Sequence, residues 1–90
     1  MSAFRGGCVV KIEIYSKKDC HLCDEAKAKL REFAERFPIH VDEIDIEQDP
    51  VVFEKHRYEI PVVYLEGRKL FKYRIDDAKL ERAIRAAMKS

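Results

Sequence analysis

Two cysteines three positions apart, Cys20 and Cys23, are the side chains best placed to do chemistry in this chain. They bracket the segment Cys20-His21-Leu22-Cys23, where a polar loop, Ser16–Asp19, gives way to the apolar repeat of a helix. A helix start carries unpaired backbone N–H groups and the positive end of the macrodipole. Both stabilise a thiolate, and thiols so placed titrate at roughly 3.5–7.5 instead of ~8.5. Cys20, at or just before the first turn, is expected to turn its sulfur to solvent and to those N–H groups. Cys23 lies one turn further on and against the sheet, so the two sulfurs meet in a small loop. The chemistry that follows is thiol–disulfide exchange, with Cys20 attacking and Cys23 resolving the mixed disulfide from behind. Two other readings compete with this one: a chance pair lining a helix start, and a metal site. Zinc needs two further ligands, and Cys8, His21, His40 and His56 form no second close pair of the kind structural zinc sites use. No metal is therefore expected.

Two further positions bear on that chemistry. A protonated His21 beside Cys20 would further stabilise the thiolate and make the pair more oxidising; the alternative is a solvent-facing histidine of little influence. Ile60-Pro61 precedes an apolar run. Pro61 either simply begins a strand, where proline is tolerated, or closes a cis bond, a feature nearly confined to X-Pro pairs. A cis-proline beside the sulfurs would leave the backbone of Ile60 free to pair with an extended substrate segment.

The elements that must position these groups follow from hydrophobic periodicity. Val9–Tyr15 alternates apolar and polar residues and reads as a strand. Leu22, Ala26, Leu30, Phe33, Ala34 and Phe37 recur at steps of three and four, one stripe of a helix over Leu22–Phe37 that Pro38 ends. His40–Glu47 alternates as a second strand. Asp49-Pro50 pairs an N-cap with proline at the first helical position and opens a short helix over Pro50–Arg57. Pro61–Leu65 and Arg68–Tyr73 form a hairpin about Glu66-Gly67. Asp76 caps a last helix, with Ile75 and Leu80 at staple positions and Leu80, Ala83, Ile84, Ala87 and Met88 as its buried stripe. The order β-α-β-α-β-β-α gives an α/β sandwich: a four-stranded mixed sheet, its first two strands parallel, with helices on both faces.

Composition narrows the function classes. Ninety residues make one domain, 1–90, with a frayed start over 1–8. Apolar residues reach 47%, too many for a disordered chain. Eighteen basic and 17 acidic residues leave a net charge of +1, unlike the strongly basic balance of a dedicated nucleic-acid binder. No apolar run approaches the ~18 residues of a membrane span, and no secretory leader is legible at the start. A cytoplasmic location is expected, where a close cysteine pair is catalytic or metal-binding more often than structural.

Tyr15-Ser16-Lys17-Lys18-Asp19-Cys20-His21-Leu22-Cys23, then Asp45-Ile46-Glu47-Gln48-Asp49-Pro50, then Ile60-Pro61-Val62-Val63, together resemble the glutaredoxin-like branch of the thioredoxin superfamily. The likeness runs from about Val9 to Met88. It is greatest to small glutaredoxin-like proteins with Cys-His-Leu-Cys in place of Cys-Pro-Tyr-Cys. The resemblance implies a thioredoxin fold, Cys20 as nucleophile, Cys23 as resolving thiol and a cis Pro61. It places Lys17 where many glutaredoxins carry a lysine that contacts the glutathione carboxylate, although a solvated loop lysine is the plainer reading. Asp76-Asp77 matches a position that meets the glutathione amino group, although Asp76 as a helix cap is more economical. Two departures stand out. Glutaredoxins usually have a Gly-Gly pair after the last strand, and here the stretch is Lys72-Tyr73-Arg74-Ile75, whose side chains could block glutathione or reshape its site. Thioredoxins bury an aspartate in the first strand, and here Ile14 stands at that position, leaving the base for Cys23 unassigned.

The expectation is a monomeric thiol–disulfide oxidoreductase that reduces or exchanges protein or glutathione-type disulfides. It needs no organic cofactor, binds neither nucleic acid nor membrane, and is restored by an unidentified electron donor. Catalysis would rest on Cys20 and Cys23, with His21 modulating and Lys17, Ile60, Pro61 and Asp76 binding substrate. Cys8 is expected to be a bystander, and the basic run Arg68, Lys69, Lys72 and Arg74 the wet face of an edge strand. The alternatives are an iron–sulfur cluster binding or assembly protein of glutaredoxin type and a non-catalytic adaptor of the same fold.

Overall fold

A computed structural model describes residues 9–89; the segment 1–8, with Cys8, lies outside them. The elements are β1 (Val10–Ser16), α1 (His21–Arg36), β2 (Ile39–Asp45), a 3-10 turn (Ile46–Gln48), α2 (Pro50–His56), β3 (Val62–Leu65), β4 (Arg68–Lys72) and α3 (Asp77–Met88). The strands lie in the order β2-β1-β3-β4. β1 runs parallel to β2 and antiparallel to β3, and β4 is antiparallel to β3. This is the four-stranded mixed sheet with three helices read from the sequence.

Alternation along β1 divides the two faces. Val10, Ile12 and Ile14 are buried in one cluster with Ala26, Leu30 and Phe33 of α1 and Leu80 and Ile84 of α3. Each fully buried branched side chain there contributes about 1.5–3 kcal/mol. Tyr15 points to the other face, where it packs on His56 at the end of α2. The helices thus cover both faces of the sheet, as expected.

The helix ends follow the chemistry of their residues. Phe37, before Pro38, is extended (ψ 152°), which stops α1. Asp49 accepts the Val51 N–H at 2.9 Å with Pro50 at the first position of α2. Asp76 accepts the Lys79 N–H at 3.1 Å and starts α3. Several boundaries differ from the sequence reading. β1 is shifted by one residue, since Val9 is exposed and Ser16 still pairs with Asp45. β2 stops at Asp45 because that side chain accepts the Glu47 N–H at 2.9 Å and tightens the chain into the turn that buries Ile46. Ala34 and Met88, expected in buried stripes, are exposed at the margins of their helices.

The β3–β4 pair carries a bulge. Val63 pairs with Phe71 but Tyr64 pairs with Lys69, so Leu70 is the extra residue. Simple alternation would put Lys69 on the same face as Phe71, in the core. The bulge turns Lys69 to the side of Tyr64 and His56 instead.

Candidate redox site

The sheet topology collects the chemistry-bearing segments at one end. β1 ends at Ser16 and leads into the Cys20 loop. Tyr15 is paired with Val62, the first residue of β3, and Val62 is paired with Lys72, the last residue of β4. The Ser16–Cys20 loop, the Ile60-Pro61 peptide and the Tyr73–Ile75 segment therefore share one edge of the molecule.

Cys20 is the N-cap of α1, with extended backbone (φ −113°, ψ 107°). Its Sγ accepts the backbone N–H of Cys23 at 3.2 Å, and its carbonyl accepts that of Asp24 at 3.0 Å. A sulfur thus occupies the place an oxygen of Ser or Asp takes in an ordinary cap. Cys23 has no exposed surface, whereas Cys20 is only partly buried. The two sulfurs are joined as a disulfide across a Cα–Cα distance of 5.1 Å. A more accessible cysteine at the helix entrance and a buried one behind it are the arrangement the spacing predicts.

The other sequence candidates are placed as follows. The Ile60-Pro61 bond is cis, and Pro61 is buried. The Ile60 N–H and carbonyl have no partner among the described residues. His21 opens α1 with its ring turned to solvent, Nε2 lying 3.0 Å from Glu25 Oε2. Lys17 is exposed and borders a groove of about 190 Å³ with Lys18, Asp24 and Asp45. Asp76 is committed to its cap, and its neighbour Asp77 pairs with Lys29 of α1. Ile14 is fully buried, so β1 contributes no carboxylate where a base for Cys23 would stand. Among the described residues no three His, Cys, Asp or Glu side chains converge as metal ligands, and His40 pairs with Asp42 on the surface.

Sequence reasoning missed the residues that fix the segment before Pro61. His56 is 2% exposed, packed between Tyr15 (centroids 4.7 Å apart) and Tyr64 (6.1 Å). Its Nδ1 lies 3.2 Å from Glu59 Oε2, and Lys69 Nζ donates to the same oxygen at 3.0 Å. Hydrogen bonds from Lys69 and then His56 hold the Glu59 carboxyl below the usual carboxylate range. The Lys69 ammonium is raised in turn by its bond to Glu59. Burial, followed by the charge of Glu13, raises the Tyr15 phenol. Of these residues the sequence marks Tyr15 within the glutaredoxin-like motif, His56 as a possible metal ligand and Lys69 in the basic run, none of them in this role; the bulge that aims Lys69 leaves no mark there.

Comparison with known proteins agrees with this geometry. Residues 11–85 match the model of the Glutaredoxin-like domain (DUF836). The chain is 31% identical over 77 residues to the Glutaredoxin-like protein YDR286C homolog of Dictyostelium discoideum, covering 79% of this chain and 71% of that protein. Among solved structures it resembles protein Ne2328 from Nitrosomonas europaea, with a TM-score of 0.72 at 24% identity over 82% of this chain and 89% of that one. It also resembles a mutant thioredoxin from Halobacterium salinarum, with a TM-score of 0.67 at 17% identity over 88% of this chain and 74% of that one. These two likenesses establish a thioredoxin-like fold. With that fold, a close cysteine pair at the first helix and a family model spanning most of its length, the chain belongs to the glutaredoxin-like (DUF836) family of the thioredoxin superfamily, and its architecture supports a redox function.

Proposed function

We propose that the protein is a thiol–disulfide oxidoreductase acting on protein or small-molecule disulfides through Cys20 and Cys23. The observation that carries this reading is the hydrogen bond from the Cys23 N–H to Cys20 Sγ, with the buried Cys23 sulfur within bonding reach. In the reduced protein the same N–H and the helix dipole favour negative charge on Cys20. The Cys20 thiolate attacks one sulfur of the substrate disulfide, and the substrate's other sulfur leaves as a thiolate that takes up a proton. The Cys23 thiol then gives up its proton and attacks Cys20 Sγ. This releases the second substrate thiol and leaves the Cys20–Cys23 disulfide. Two electrons have passed to the substrate, and an electron donor restores the dithiol.

Around that core, the backbone of Ile60 next to cis-Pro61, without a partner among the described residues, binds substrate main chain by strand addition. Lys17, with no carboxylate partner among the described residues, is available to an anionic substrate group. His21 modulates Cys20 from the adjacent position, and Asp76 borders the same sheet end while capping α3. The test is disulfide reduction by single variants. Cys20→Ser is expected to abolish it, and Cys23→Ser to stall as a mixed disulfide on Cys20. Full dithiol turnover by Cys23→Ser would remove its resolving role.

A further inference from the structure

Tyr73 follows β4 with φ +70°, a left-handed backbone that is rare for a bulky side chain. Such a conformation persists only where the surroundings over-determine it. Here two bonds do so, and both reach the segment before β3. The Tyr73 N–H donates to the Pro61 carbonyl at 2.8 Å, and its phenol donates to the Tyr58 carbonyl at 3.1 Å. Glu59, between those two carbonyls, is held by His56 and Lys69. The chain is thus gripped at Tyr58, Glu59 and Pro61, and the Ile60 backbone has no partner among the described residues. A preformed pairing edge one residue long, pinned on both sides, needs little ordering when an extended main chain binds. Tyr58 (78% exposed) and Tyr73 (45%), the two ends of the strap, add aromatic surface, with Arg57 over one ring and Lys72 over the other. A disulfide without a main chain gains nothing from that edge.

We propose that Tyr73 is the specificity-determining residue of the redox site: by strapping the Tyr58–Pro61 segment it holds the Ile60 backbone for an extended polypeptide, so that polypeptide disulfides are the substrate class. The proposal rests on the thiol–disulfide reading above. Its test compares two substrates with one leaving group: a linear peptide whose single cysteine is in mixed disulfide with mercaptoethanol, and hydroxyethyl disulfide. Exchange of the amide hydrogen of residue 73, which the strap bonds to the Pro61 carbonyl, followed by NMR, reports on the strap without any substrate. Tyr73→Phe removes one neutral hydrogen bond and is expected to lower the peptide-to-small ratio of kcat/KM about fivefold, through KM, while the amide of residue 73 exchanges faster. Tyr73→Gly keeps the donor to Pro61 and suits the left-handed backbone, yet loses the ring, and its ratio is expected to fall further. An unchanged ratio in both variants, with an active wild type, overturns the role of Tyr73 and leaves the dithiol reading standing. A wild type inactive on both disulfides overturns the dithiol reading and the substrate class together. Unchanged exchange of the residue-73 amide in Tyr73→Phe overturns the strap in either case.

Discussion

At the scale of single residues, one half-buried carboxylate ties together three elements. Glu59 is gripped through the same oxygen by Lys69 and His56, and the chain passes directly from it into the cis-Pro peptide. The two hydrogen bonds lower its folded-state pKa. The stabilisation is therefore present above the ordinary carboxylate pKa and is lost as pH falls through the lowered folded value. The raised Lys69 fades at the opposite end, as pH climbs through its folded value above the ordinary lysine range. Across neutral pH the pair is intact. Glu59→Gln should thus lower the urea midpoint at pH 7, and the difference from wild type should shrink once acid has protonated the wild-type carboxyl. A difference that stays constant into acid would show that the Glu59 charge is not what matters. Neither partner is legible as such in the sequence. His56 reads there only as a possible metal ligand, and a lysine on a basic edge strand reads as a solvated one.

At the scale of elements, the strands, the two long helices and their caps are legible because each is written in a local code: alternation in β1, a stripe of step three and four in α1, and Asp49-Pro50 and Ile75-Asp76 at helix starts. What is not legible is set by pairing between elements. The bulge at Leu70 exists only when β4 is registered against β3, and the strap from Tyr73 to Tyr58 joins residues 15 positions apart. Asp76 shows how an element can settle a residue's assignment. As the N-cap of α3 it accepts the Lys79 N–H, so Asp76→Ala should cost about 1 kcal/mol of stability in chemical denaturation, whereas Asp76→Ser should recover most of it. If kcat/KM falls equally in the stable serine variant, the carboxylate also meets substrate. If activity follows stability, Asp76 is a cap alone.

At the scale of the whole molecule, the sheet brings the end of β1, the start of β3 and the end of β4 to one edge, while α1 and α3 fill the face behind it. The platform depends on a small core. Leu30, fully buried on α1 against that face, should cost about 2–5 kcal/mol when cut to alanine, read from the denaturation midpoint. That loss would loosen the helix whose first turn holds the sulfur, so disulfide reduction should fall with it. The central claim, however, concerns the first turn itself: amide N–H groups there hold Cys20 ready as an anion, with Cys23 protected behind. The most direct measurement is the alkylation rate of each cysteine in the reduced protein against pH, resolved by mass spectrometry. The account predicts that Cys20 reacts first, with its inflection well below the ~8.5 of a free thiol. Inflection of Cys20 at that free-thiol value, or earlier reaction of Cys23, would contradict it.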